Sequence, residues 1–184
     1  DLQPGDEVIT TPMSFVATAN VVLQHGGKVV FADIDRETMN IDPERIAEKI
    51  GPRTRAILPV HVGGNPCDMD RIMELANAHG LAVIEDCAHS IEGDFMGQPL
   101  GTFGDTSSFS FYPTKNITTG EGGMVICRDA ELAGRIRLLS NHGLTKSTWQ
   151  RMEVEHTPLY DVVVPGFKYN MCDLQAALGL PQLD

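Results

Sequence analysis

Residues with chemical potential cluster where apolar strands end. The run Ala82-Val83-Ile84 leads straight into Glu85-Asp86-Cys87-Ala88-His89, so two neighbouring carboxylates leave one apolar segment together. Adjacent side chains on an extended backbone point to opposite faces, so one carboxylate can enter a site while the other turns away. His89 lies on the same side as Asp86 if a helical turn follows. Further on, Ser107-Ser108-Phe109-Ser110-Phe111-Tyr112-Pro113-Thr114 runs into Lys115, ahead of the small-residue loop Thr118-Thr119-Gly120-Glu121-Gly122-Gly123. Of the five lysines (Lys28, Lys49, Lys115, Lys146 and Lys168), Lys115 alone directly follows a long aromatic-rich strand. Two readings of its amine stand level on the residues alone. One is a solvated loop lysine, the usual fate of Lys; the other is a nucleophile toward carbonyls in a pocket.

In open α/β sheets, ligands gather at the carboxyl ends of the strands. An acid at one strand end and a lysine at the next is the pair that pyridoxal phosphate (PLP) requires. The lysine attaches the cofactor, and the carboxylate keeps the pyridine nitrogen protonated so that the ring accepts electrons. Metal chemistry has less support. His25, His61, His79, His89, His142 and His156 form no H-E-x-x-H, and Cys67, Cys87, Cys127 and Cys172 form no C-x-x-C. Neither G-x-x-x-x-G-K-[S/T] nor a G-x-G-x-x-G after the first strand is present, which removes the main signatures of nucleotide-binding folds.

The elements that must position these residues alternate in type. Strands are expected at Val8–Thr11, Lys28–Ile34, Ala56–Val62, Ala82–Asp86, Ser107–Tyr112 and Met124–Arg128. Helices are expected at Ser14–Gln24, Pro43–Ile50, Met69–Ala78, Ala130–Ser140 and Asp173–Leu178, with Asp42, Asp68 and Asp129 as N-caps. Gly26, Gly80 and Gly143 follow helical patterns where a left-handed residue is wanted. Continuous apolar runs such as Ala56-Ile57-Leu58-Pro59-Val60 suit a sheet buried on both faces, so the fold class is α/β with helices over a mostly parallel sheet. The polar stretch Thr145–Val164, with Pro158 and the single Trp149, reads as a binding loop or partner contact.

Composition sets the outer limits. At 42% hydrophobic and 21% charged, the 184 residues are globular in character. Fourteen Lys+Arg against 25 Asp+Glu give a net charge of −11, which argues against a nucleic-acid clamp but leaves room for an anionic small substrate at one local site. No apolar run approaches the ~20 residues that span a bilayer. The cysteines read as reduced thiols packed as small core residues in a cytoplasmic protein. A start at Asp1 without Met, and an end at Asp184 in or just after a helical pattern, suggest a piece of a longer protein.

The segments Gly5-Asp6-Glu7-Val8-Ile9, Ser14-Phe15-Val16-Ala17-Thr18, Pro59-Val60-His61, Glu85-Asp86-Cys87-Ala88-His89, Phe109-Ser110-Phe111-Tyr112-Pro113-Thr114-Lys115 and Glu121-Gly122-Gly123 occur in this order. With the tail Gly166–Ala177 they resemble the DegT/DnrJ/EryC/StrS family of sugar aminotransferases, which are fold-type I PLP enzymes. The resemblance covers essentially the whole chain and moves Lys115 to the cofactor-bearing position. It implies that residues 1–184 are the central part of the PLP-binding large domain. A phosphate-binding turn would lie upstream and a C-terminal small domain downstream, in an enzyme of roughly twice this length.

Residue roles follow from the same resemblance. Lys115 matches the lysine that holds the cofactor and shuttles the substrate proton, and Asp86 the partner of the pyridinium nitrogen. His89 stands where a ring-face or 3′-oxygen contact is made, Phe15 where an aromatic stacks on the ring, and Ser110 where a hydroxyl bonds the phosphate. Asn170 resembles a residue reaching that phosphate from the neighbouring subunit of a homodimer. Taken singly, Phe15 reads as core, Ser110 as a strand serine and Asn170 as a turn former. The resemblance implies a nucleotide-linked keto sugar and glutamate, or glutamine, as substrates. Around Gly166-Phe167-Lys168-Tyr169 it extends to members that aminate UDP-linked 4-keto sugars, which makes Lys168 a candidate contact for the nucleotide diphosphate. Two alternatives accompany it: a sugar dehydratase of the same family, in which histidine replaces the lysine, and a non-catalytic nucleotide-binding α/β domain.

Overall fold

Alternation of short β-rich runs with amphipathic stretches produces a layered α/β unit, seen in a computed structural model that describes residues 2–145 and 160–183. Its elements run β1 (Glu7–Thr10), α1 (Ala17–Gln24), β2 (Lys28–Phe31), α2 (Pro43–Lys49), β3 (Thr54–Leu58), α3 (Met69–His79) and β4 (Ala82–Asp86). They continue with the hairpin β5 (Asp94–Phe95) and β6 (Gln98–Pro99), then β7 (Thr106–Ser110), β8 (Gly123–Cys127), α4 (Ala130–Ser140) and α5 (Asp173–Gly179). Six strands form one sheet in the order β2-β1-β3-β4-β7-β8. All neighbours are parallel except β7 and β8, which run antiparallel.

Sheet order decides where the helices go. The chain moves from β1 outward to β2, then back past β1 to β3 and on to β4. Right-handed crossovers put α1 on one face and α2 and α3 on the other. Burial follows that division. Ile9, Ile57 and Val83 pack with Ile46, Met69, Ile72 and Ala76 in one cluster, while Val8, Ala56, Leu58 and Val60 pack with Val22 in a second. Adjacent residues such as Val8 and Ile9 thereby enter different clusters, as the two-residue period of a strand requires. Asp42, Asp68 and Asp129 cap α2, α3 and α4, accepting from Glu44, Arg71 and Leu132 amides. Gly26, Gly80 and Gly143 all take positive φ.

Several expected boundaries shift for local reasons. β3 stops at Leu58 rather than Val62, because Pro59 has no N–H for the ladder; a lone bridge from Val60 to Asp86 and a tight turn at Val62–Gly64 follow. β2 ends at Phe31 rather than Ile34, where the Asp35 side chain accepts from the Glu37 and Thr38 amides and turns the chain. α1 begins at Ala17, not Ser14, since Ser14 uses its hydroxyl on Thr18. The cysteines do not behave alike: Cys67 and Cys87 are core residues, Cys127 is half-buried, and Cys172 is exposed at the start of α5. Trp149 and Pro158 of the stretch read as a binding loop lie outside the described residues. Among those residues no helix is long and apolar enough to cross a membrane.

Candidate active site

The carboxyl ends of β4 and β7 lie side by side, with Asp86 paired to Ser108 in parallel register. Asp86 is locked into the sheet by its backbone: its N–H donates to Pro59 at 2.9 Å and its carbonyl accepts from the His61 N–H at 3.2 Å. The half-buried carboxylate is held from two directions, with Oδ2 accepting from Thr18 Oγ1 at 2.8 Å and Oδ1 from the Ala88 N–H at 3.1 Å. Glu85 points the other way, as neighbouring strand residues must. It is fully buried, and its oxygens accept from the amides of Gly101 (2.9 Å), Phe103 (2.9 Å) and Gly104 (2.7 Å) and from His61 Nε2 (3.2 Å). Burial acts to raise its pKa, but the hydrogen bonds from His61 and from the Gly104 and Gly101 amides outweigh that and hold the carboxyl below its ordinary value.

His61, Glu85 and Cys87 bring potential metal-ligand atoms within 4.8 Å of one another. Hydrogen bonding already uses His61 and Glu85. His61 Nδ1 accepts from the Cys67 N–H at 3.1 Å, so Nε2 carries the ring proton toward Glu85, whose two oxygens are saturated. Burial, reinforced by the charges of Glu85 and Asp86, pushes the Cys87 thiol well above its usual pKa. The cluster is therefore a buried hydrogen-bond node that fixes the 101–104 loop.

One residue after Asp86, which does not itself line it, Cys87 enters the wall of a pocket of about 190 Å³, solvent at its mouth included, to which His89, Ser110 and Lys115 contribute together with Phe109 and Phe111. Among the described residues the Lys115 ammonium has no hydrogen-bond or ion-pair partner; its backbone N–H closes a turn onto Tyr112. Ser110 accepts from the Tyr112 N–H at 3.3 Å and keeps its own proton to donate. His89 is exposed, on a turn rather than a helix, and its Nδ1 accepts from the Gly63 N–H at 3.2 Å, which leaves Nε2–H as a donor. Gly64, at φ 84°, makes this approach possible, because a Cβ there would stand 2.9 Å from the His89 carbonyl oxygen.

The remaining candidates lie apart from the pocket lining. Phe15, 79% exposed, sits in the loop before α1. Lys168 bridges to Asn141 through its backbone, and its ammonium donates to the Asn170 side-chain oxygen. Phe167 and Tyr169 stack alongside at 4.9 Å and 3°. Reading the sequence missed Thr18, and with it the link from α1 to Asp86. The only signal for it was the four-residue spacing of Ser14 and Thr18.

The sequence profile of the DegT/DnrJ/EryC1/StrS aminotransferase family matches residues 1–184. The chain belongs to this family. It is 52% identical over 180 residues to SpsC of Bacillus subtilis (strain 168), a spore coat polysaccharide biosynthesis protein, covering 98% of the chain and 46% of SpsC. Among solved structures, PseC of Helicobacter pylori, an aminotransferase involved in the biosynthesis of pseudoaminic acid, superposes with a TM-score of 0.89 at 34% identity. That match covers 100% of this chain and 47% of PseC. Spr1654 of Streptococcus pneumoniae in its PLP-form gives 0.85 at 33% identity, over 100% of the chain and 50% of Spr1654. The chain thus spans about half the length of the relatives it matches. Family membership agrees with the mostly parallel, helix-flanked sheet of PLP aminotransferases that the resemblance implied.

Proposed function

We propose that this DegT/DnrJ/EryC1/StrS family member is a PLP-dependent transaminase that converts a nucleotide-linked keto sugar to an amino sugar, with glutamate as amino donor. The observation that carries this reading is the Lys115 amine, without a partner among the described residues, in a pocket shared with His89 and Ser110 whose lining begins one residue after the doubly held Asp86. The donor set fits the cofactor. Lys115 would hold it, Asp86 would partner its ring nitrogen, and Ser110 and the Nε2–H of His89 would donate to its oxygens. When bound, PLP supplies an electron-accepting ring that makes a proton on the substrate carbon removable. Lys115 is the base that moves this proton, and with no ion-pair partner among the described residues its amine is available. Asp86, fixed by backbone bonds on both sides, keeps its aim.

Phe15 would supply an aromatic face to the ring. Asn170 would reach the phosphate of a neighbouring subunit in a homodimer, and Lys168 would meet the nucleotide diphosphate. The part of SpsC in spore coat polysaccharide biosynthesis and of PseC in pseudoaminic acid biosynthesis supports a sugar substrate, and cytoplasmic location completes the proposal. A dehydratase is disfavoured by lysine rather than histidine at position 115. Borohydride reduction of the protein with PLP, followed by peptide mapping, should place the cofactor mass on Lys115. A label on Lys146 or Lys168 instead would overturn the assignment.

A further inference from the structure

We propose that Ser14 and Thr18 form a hydroxyl relay that positions the Asp86 carboxylate and ties the Phe15-bearing loop to it. The inference rests on the reading of Asp86 as the partner of the cofactor ring. Thr18 is 7% exposed, and its Oγ1 lies 2.8 Å from Asp86 Oδ2. A carboxylate oxygen only accepts, so Thr18 donates its single proton there. The 2.9 Å contact between Ser14 Oγ and Thr18 Oγ1 then runs one way, with Ser14 donating to Thr18. Each bond in such a chain polarises the next, and partial burial strengthens both.

Geometry separates this relay from an ordinary helix-start hydrogen bond. Thr18 and Asp86 are 68 residues apart, on α1 and at the end of β4. The Ala88 N–H holds the other carboxylate oxygen, so the two donors arrive from different elements and oppose rotation of the carboxyl group. The neighbouring acid, Glu85, belongs to a separate network with His61 and the 101–104 loop, so the relay addresses Asp86 alone. Ser14 precedes Phe15 directly, in a loop that the Thr11 hydroxyl also fastens by accepting from the Met13 N–H at 3.1 Å. One chain of hydroxyls thereby links the acid to the loop that bears the aromatic.

The test compares Thr18→Val, which keeps the shape and removes the donor, with Thr18→Ser, which restores it, and with Ser14→Ala at the exposed end of the relay. PLP affinity is titrated on the apoprotein, and the NMR signal of ring-15N-labelled PLP is recorded in each variant. Thr18→Val should weaken PLP binding about 10-fold, the scale of a hydrogen bond to a charged group, and shift the 15N signal. Thr18→Ser should return both to wild-type values, and Ser14→Ala should move both in the direction of Thr18→Val by less. Wild-type affinity and 15N signal in Thr18→Val, even with a lowered Tm, would reduce the relay to a structural contact. Should Thr18→Val fail to fold, Ser14→Ala decides, and an unchanged 15N signal there overturns the proposal. Lys115→Ala and Asp86→Asn serve as separate controls. If both bind PLP as the wild type does, the reading of the site falls and the relay with it; if both are impaired, the Thr18 and Ser14 results judge the relay alone.

Discussion

Glu85→Gln tests how strongly the strand end is anchored. The carboxylate accepts four hydrogen bonds in a fully buried position, from the Phe103 and Gly104 amides on Oε1 and from the Gly101 amide and His61 on Oε2. Glutamine preserves the shape but offers only one acceptor atom. Whichever way the amide is turned, its NH₂ faces two donors that lose their acceptor. His61 has no relief through its other tautomer, because the Cys67 N–H needs Nδ1. An unsatisfied buried donor costs about 1–3 kcal/mol, so the substitution should destabilise by about 2–6 kcal/mol. At roughly 2–4 °C per kcal/mol for a domain of this size, Tm should fall by at least about 4 °C at pH 7. Thermal melts followed by circular dichroism measure this directly.

The same side chain has a pH signature. Its pKa is held low in the fold, so its contribution is complete above the unfolded carboxyl value of about 4.3 and disappears as pH falls through the lower folded value. Below about pH 4.5 the wild-type Tm should therefore drop more steeply than that of Glu85→Gln. A Gln variant whose Tm stays within about 1 °C of wild type at pH 7 would refute the view that the four bonds hold the 101–104 loop and the end of β4.

Asp86→Asn should leave the fold intact and slow turnover on the order of 100-fold or more, read as kcat in a transaminase assay; an unchanged rate would give the ring nitrogen another partner. If Asn170 acts across a dimer as proposed, mixing Asn170→Ala chains with Lys115→Ala chains should restore some activity, because each mixed dimer would keep one intact composite site; no recovery despite proven subunit exchange would remove Asn170 from a shared site. Lys168→Ala should raise KM for the nucleotide sugar without changing the glutamate half-reaction, and an equal loss in both halves would end its proposed role at the diphosphate.

Local chemistry made much of this chain legible from sequence. An aspartate next to a helical pattern can satisfy free amides only at the N-cap, and Asp42, Asp68 and Asp129 do so. Opposite placement of Glu85 and Asp86 follows from strand geometry alone, whereas the residues around Lys115 leave its amine level between a solvated loop position and a pocket. These features depend on neighbours a few residues away. Tertiary structure decided the rest, because the contacts join distant segments. Nothing near Thr18 in the chain announces that its hydroxyl meets Asp86, and nothing near Glu85 announces the amides of Gly101, Phe103 and Gly104. The direction of β8 was equally open: Met124, Val125 and Ile126 read as another apolar strand, yet they pair antiparallel with β7 and remain exposed. A run of residues fixes which side chains alternate, but strand order and direction are set by which surfaces the whole chain can bury together.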